Sequence, residues 1–151
     1  MASDLLDQSP IALPAAVADF LRQPHFATVA TLDADGAPRQ AVTWFRFDPP
    51  DTIVINSARG RRWPANLRRD PRIALAVVDT TDPYRWLGLT GRVAEVIDDQ
   101  AIAQADIAEL ARRYMADDPD GAEALIRDRF RRQHRVSFRI RILAVHDHLD
   151  G

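Results

Sequence analysis

FATVATLDADGAPRQAVTWFRFDPPDTIVINS, residues 26–57, holds three runs of β-forming residues separated by two turns. The first run, 26–32, is dominated by β-branched and aromatic residues and reads as a strand. DADG at 33–36 is a tight-turn sequence, and its Gly36 supplies the positive φ that such turns demand. The run 38–47 is the return strand. Alternation along it puts Ala41, Thr43 and Phe45 on one face, and Val42, Trp44 and Arg46 on the other. DPPD at 48–51 makes the next turn, and 52–57 a third strand, mostly apolar. The segment therefore reads as an antiparallel meander in which sequence neighbours pair.

On the N-terminal side, Pro14 suits the first turn of a helix because its missing N–H is not needed there. Residues 15–23 place Val17, Phe20 and Leu21 on one side, and Pro24 ends the helix. Residues 1–13 are expected to form a flexible tail ahead of a single domain over 14–151. On the C-terminal side, 61–70 reads as a helix with Trp63 and Leu67 on one face. Strands follow at 71–79 and 86–98, the latter with Gly88 and Gly91 as candidate bulge points. Helices are expected over 99–115 and 122–133, separated by DDPDG at 117–121. The last run, 135–149, alternates Val136, Phe138, Ile140 and Ile142 against Ser137, Arg139 and Arg141, the pattern of a half-exposed strand. The fold class is thus mainly β (α+β): six antiparallel strands with flanking helices. Six such strands have to close or pair to protect their edges, which points to a small barrel.

The chain has 151 residues, a length suited to one domain, with 46% hydrophobic and 28% charged residues. Its formal net charge of −2 argues against general nucleic-acid binding. There is no cysteine, so thiol catalysis, disulfides and cysteine-ligated metals are excluded. All 20 basic side chains are arginine, so lysine Schiff-base chemistry is excluded too. The first twenty residues lack the basic start and apolar run of a leader, and no stretch approaches a membrane span of about 20 apolar residues. A cytoplasmic protein without membrane or nucleic-acid partners is expected.

Against this acidic background, SARGRRWPANLRRDPR at 57–72 concentrates six arginines beside a single acid, Asp70. It lies where the third strand ends and a helix begins. The first N–H groups of a helix lack internal partners and carry partial positive charge, so such a junction binds phosphate readily. Ser57 can offer a hydroxyl, and Gly60 permits close approach of the backbone. Arg59, Arg61 and Arg62 can clamp phosphate oxygens through paired donors, and Asn66 can add an amide. A solvated helix face whose arginines pair with acids explains a basic helix equally well, and better for Arg68, Arg69 and Arg72. On the neighbouring strand, Thr43 offers a polar contact. Trp44 suits either stacking on an organic head group or core packing. His146 and His148 share a strand face, but no third metal ligand accompanies them.

The order of 26–48, 52–79 and 82–96 resembles the pyridoxamine-phosphate-oxidase-like split β-barrel flavin and deazaflavin oxidoreductases. GRRWPANLRRDPR at 60–72 is similar to the branch that uses coenzyme F420. The resemblance covers about 12–149. It implies a six-stranded antiparallel split barrel and a homodimer with cofactor sites shared between subunits. It implies that Ser57, Gly60 and Arg61 belong to the phosphate-tail segment, with Asn66 further along it. It also implies that Val42, Thr43 and Trp44 lie along the isoalloxazine-like ring, and that Tyr84, Arg85 and Trp86 belong to a loop that can face the partner's cofactor. Many members carry a lysine where this chain has Trp63, so Arg62 or Arg59 has to substitute. The implied activity is hydride transfer from reduced F420 to an electron-poor small organic acceptor. The alternatives are an FMN-binding oxidoreductase of the same fold, or a non-enzymatic flavin-, deazaflavin- or tetrapyrrole-binding protein. The arginine-rich stretch favours F420, whose phosphodiester and polyglutamate tail is more anionic than the single phosphate of FMN.

Overall fold

The return strand expected over 38–47 breaks at Trp44 and Phe45, and this break organises the architecture. In the computed structural model, which describes residues 11–150, the run divides into β2 (Pro38–Thr43) and β3 (Arg46–Asp48). Around them the chain forms α1 (Ala15–Leu21), β1 (Phe26–Leu32), β4 (Thr52–Ala58), α2 (Arg62–Arg69), β5 (Arg72–Val78) and β6 (Trp86–Ile97). It continues with α3 (Gln100–Tyr114), α4 (Pro119–Asp128), a 3-10 turn at Phe130–Arg132, and β7 (Arg135–His148).

The described strands make one sheet in the order β2-β1-β5-β6-β7-β4-β3, with every pairing antiparallel. Its two edge strands, β2 and β3, are joined through only Trp44 and Phe45. The sheet therefore curls until its edges meet at that kink, which is a barrel split along one strand. Seven strands appear where six were expected because one run serves both edges. The hairpins expected within 26–57 form, β1 with β2 and β3 with β4, and beyond them the pairing becomes non-local. β4 pairs with β3 and β7 and not with β5, while β1 takes β5 as its second neighbour. The intervening α2 carries the chain from one side of the barrel to the other. Strand pattern identifies a strand's faces but not its distant partner, so local reading could not see this crossover.

The barrel is filled by the inward residues of alternating strands, among them Val29, Ile55, Leu75, Leu89, Phe138 and Ile140. Val17, Phe20 and Leu21 of α1 and Trp63 and Leu67 of α2 join the same core. Ile11 and Leu13 also pack against it, while residues 1–10 of the expected tail lie outside the described residues. The β6–β7 register shifts between Thr90 and Gly91. A Cβ on Gly91 would sit 2.6 Å from Ile140 Cγ2, so only glycine fits this bulge.

The last strand is not half-exposed along its length. Its first four residues, Arg135 to Phe138, are all buried, because α3 covers the outer face of β7 there. α3, α4 and the 3-10 turn form a second small core around Ile107, Leu110, Ile126 and Phe130.

Candidate functional site

Two hollows meet at Arg61. The inner one, about 330 Å³, lies between Val42, Thr43 and Trp44 at the kink and the helical cover, represented by Leu110, Leu125 and Phe130; Asn56, Arg129 and Arg135 complete its wall. The outer one, a groove of about 620 Å³, is lined by Gly60, Arg61, Arg62, Asn66 and Arg69 on one side and by Asp33 and Asp35 on the other. Seven of the sequence-derived candidates, Val42, Thr43, Trp44, Gly60, Arg61, Arg62 and Asn66, are thereby brought together around two hollows that share Arg61.

The loop before α2 is built for close approach. Gly60 has φ of 93°, a left-handed conformation that costs a side-chain-bearing residue about 1–2 kcal/mol. The Arg59 N–H is tied to the His134 carbonyl at 2.8 Å, which pins the loop to the segment leading into β7. Arg61 is the N-cap of α2, and no side chain caps the first-turn N–H groups. Those donors are open to a ligand, with the helix dipole adding to their charge.

Asn66 and the remaining candidates serve differently. Asn66 is buried, and its Nδ2 donates to Thr31 Oγ1 at 3.1 Å and to Asp33 Oδ1 at 2.9 Å. Its Oδ1 accepts from Arg69, so both amide hydrogens are committed and it positions the groove wall rather than donating to a ligand. Ser57 is fully buried, alternates inward with Ile53 and Ile55, and its Oγ has no partner. Strand parity thus presents Asn56, not Ser57, to the cavity. Arg59 is exposed and its side chain lines neither hollow. Trp63, at the position where the resemblance led us to look for a lysine, is a core residue packed 5.8 Å from the Phe138 ring. Arg68 pairs with Asp98 and Arg72 with Asp70, as a solvated face requires. Tyr84, Arg85 and Trp86 lie away from both hollows. Tyr84 is 82% exposed, Arg85 pairs with Asp79 at 2.6 Å, and Trp86 stacks on His146 and His148 at 5.4 and 5.0 Å.

The kink itself is held by Tyr114 of α3. Its Oη accepts the Phe45 N–H at 3.1 Å and lies within donating reach of the His25 and Phe45 carbonyls. Its ring stacks on Trp44 with centroids 5.3 Å apart and planes 9° apart, while Phe130 meets Trp44 edge-on at 6.5 Å. One face of Trp44 is therefore occupied, and what remains of its surface lines the cavity. Burial pushes the Tyr114 hydroxyl above its ordinary range, so it stays protonated as a donor at neutral pH.

Several site residues escaped the sequence reading. Asp33, assigned there only to turn shape, binds Arg39 at 2.9 Å and lies 3.8 Å from Arg62. The Arg39 hydrogen bond, helped by Asn66, holds its carboxyl down at about 2. The six-residue hairpin spacing of Asp33 and Arg39 was the available signal. Arg135, Asn56 and Arg129 carried none, because the partners that shape their surroundings come from distant elements. Arg135 Nε donates to Asn56 Oδ1 at 2.9 Å and Nη1 to Gln133 Oε1 at 2.6 Å. Asn56 in turn donates to Ser137 Oγ, which donates to Asp106, which pairs with Arg46.

No helix among the described residues is long and apolar enough to cross a membrane. The family model for pyridoxamine 5′-phosphate oxidase matches residues 13–148. An F420H(2)-dependent biliverdin reductase from Mycobacterium tuberculosis (strain CDC 1551 / Oshkosh) is 33% identical over 108 residues, 71% of this chain and 76% of the relative. The solved structure of an F420 reductase matches with a TM-score of 0.71 at 24% identity, over 89% of this chain and 98% of its own. A conserved hypothetical protein from Mycobacterium tuberculosis matches with a TM-score of 0.70 at 22% identity, over 93% of this chain and 89% of its own. At these identities the two structures establish a shared fold.

Proposed function

The chain belongs to the pyridoxamine 5′-phosphate oxidase family, and from that premise we propose that it is a coenzyme F420-dependent oxidoreductase acting on an electron-poor small organic acceptor. The observation that carries this reading is the place of Arg61 in the walls of both hollows. An aromatic-walled cavity beside an arginine-lined groove suits a ligand with a planar head and an acidic tail. The similarity to an F420H(2)-dependent reductase supports the choice of coenzyme and of reaction class.

The residues present fit such a ligand. Arg61 has no acid partner among the described residues, and its guanidinium is available to an oxyanion. Arg62 and the uncapped N–H groups of α2 add donors, and the left-handed Gly60 leaves space around its Cα. Val42, Thr43 and Trp44 offer the edge and wall along which a ring can lie, with Tyr114 behind Trp44 fixing its tilt. Reduced F420, when bound, supplies the hydride. The chain's contribution is orientation of the ring, a dry wall from Trp44, Leu110 and Phe130, and positive charge for the tail.

A homodimer belongs to the same proposal. The outer face of β1, β5, β6 and β7 carries the small uncharged residues Thr28, Ala76, Gly88, Thr90 and Ala144. A second sheet can approach such a face closely, and Tyr84, Arg85 and Trp86 lie at its end, where they can reach a partner's site.

The test is titration of the apo-protein with F420 and with FMN, followed by fluorescence. Micromolar binding of F420 is the expected result. Arg61→Ala weakens it by about 1.5–3 kcal/mol, or roughly tenfold to 150-fold, the range for a hydrogen bond to a charged group. Arg68→Ala, which removes only a surface pair with Asp98, leaves it unchanged. Tight binding of FMN with none of F420 overturns the choice of coenzyme, and unchanged affinity in Arg61→Ala removes Arg61 from the site.

A further inference from the structure

Arg135 differs from the partly buried arginines of the neighbouring strands, which face acids. Arg46 faces Asp48, Asp106 and Glu109; Arg139 faces Asp48; Arg141 faces Asp51. Arg135 is 2% exposed, yet no carboxylate lies within ion-pair distance of it among the described residues. Its two hydrogen bonds go to the neutral amides of Asn56 and Gln133, and its Nη2 donates to no described residue. Its guanidinium lies 4.8 Å from the Phe130 ring centroid. The nearest charges are repulsive: burial first, and then Arg61 and Arg129, lower its pKa to about 10.

An enclosed cation without a counter-charge is costly, and a protein interior ordinarily avoids it. Here the cation is held rigidly, through Asn56 and Ser137 to Asp106, at the wall of a cavity that two further arginines also line. That arrangement is a receptor whose missing charge comes with a ligand. We propose that the inner cavity holds a second anion site beside the place of the coenzyme ring, in which Arg135, aided by Arg129, binds the carboxylate of a planar conjugated acceptor lying between that ring and Phe130. The proposal rests on the reading that the Gly60–Arg69 groove takes the coenzyme's own phosphate, leaving the inner guanidinium groups for a different anion. It assigns the substrate class: an aromatic or polyene acid rather than a neutral enone.

The experiment compares cinnamate with its uncharged isostere cinnamamide, with binding followed by ligand-observed NMR. Wild type is expected to bind cinnamate at least tenfold more tightly than cinnamamide. Arg135→Met, similar in length but uncharged, is expected to lose that preference while its F420 affinity falls by less than the tenfold that loss of a tail contact brings. Arg129→Ala, at an exposed position, is expected to reduce cinnamate affinity severalfold. It also keeps the test informative if Arg135→Met fails to fold. Equal binding of acid and amide by wild type overturns the proposal. So does an Arg135→Met variant that keeps the preference, or one that loses F420 affinity tenfold, which would assign the anion to the coenzyme tail. Failure of wild type to bind F420 at all refutes the coenzyme reading separately, since the cinnamate comparison is made without it.

Discussion

Tyr114→Phe removes one oxygen from the point where the barrel splits, and the structure sets the size of the effect. The Phe45 N–H belongs to neither β2 nor β3, and its one hydrogen-bond acceptor among the described residues is Tyr114 Oη at 3.1 Å. Phe45 is fully buried, so water cannot easily replace the lost acceptor. The same hydroxyl also serves the His25 or Phe45 carbonyl. The ring, stacked on Trp44, stays in place in the variant, so packing is nearly unchanged. The loss is then the cost of leaving a buried donor unsatisfied, about 1–3 kcal/mol. For a domain of this size that lowers the melting temperature by roughly 2–4 °C per kcal/mol. Urea denaturation followed by circular dichroism measures it, with a lower midpoint and an unchanged slope expected. A loss below about 0.5 kcal/mol, within the noise of ordinary surface substitutions, would refute the claim that Tyr114 holds the split closed.

Acid sensitivity tests the groove rim. Asp33 has a native pKa of about 2 against an ordinary 3.8, so its stabilising contribution is fully present above pH 4 and is lost as pH falls through that window. The stability difference between wild type and Asp33→Asn, taken from urea midpoints, should therefore hold from pH 6 to about pH 4 and shrink from there toward pH 2. A difference that does not change over that range means the carboxylate is not held by Arg39 and Asn66 in solution. The proposed pairing of sheet faces predicts a dimer in sedimentation velocity at micromolar concentration, and a Gly88→Arg variant that sediments as a monomer. A wild-type monomer under those conditions removes the shared site.

Local chemistry determined the elements themselves. The β-forming composition of 26–32 and 52–57, the DADG turn, and the spacing of Trp63 and Leu67 correspond to β1, β4, the first hairpin and the buried face of α2. The strand–helix junction at Gly60 and the loop arginines were likewise legible, because a left-handed glycine before a helix start is a short-range property. What only the tertiary structure decided is which elements meet. The pairing of β4 with β7, the closure of one strand onto both sheet edges, and the roof that α3 lays over β7 all join residues far apart in the chain. That roof changed the meaning of three residues. It turned Ser137 and Arg135 from apparent surface positions into enclosed ones, and it buried Asp106 against the half-buried Arg46. A residue's own pattern states which way it points from its strand, but burial and charge balance depend on what lies opposite, and that is set by the packing of distant segments.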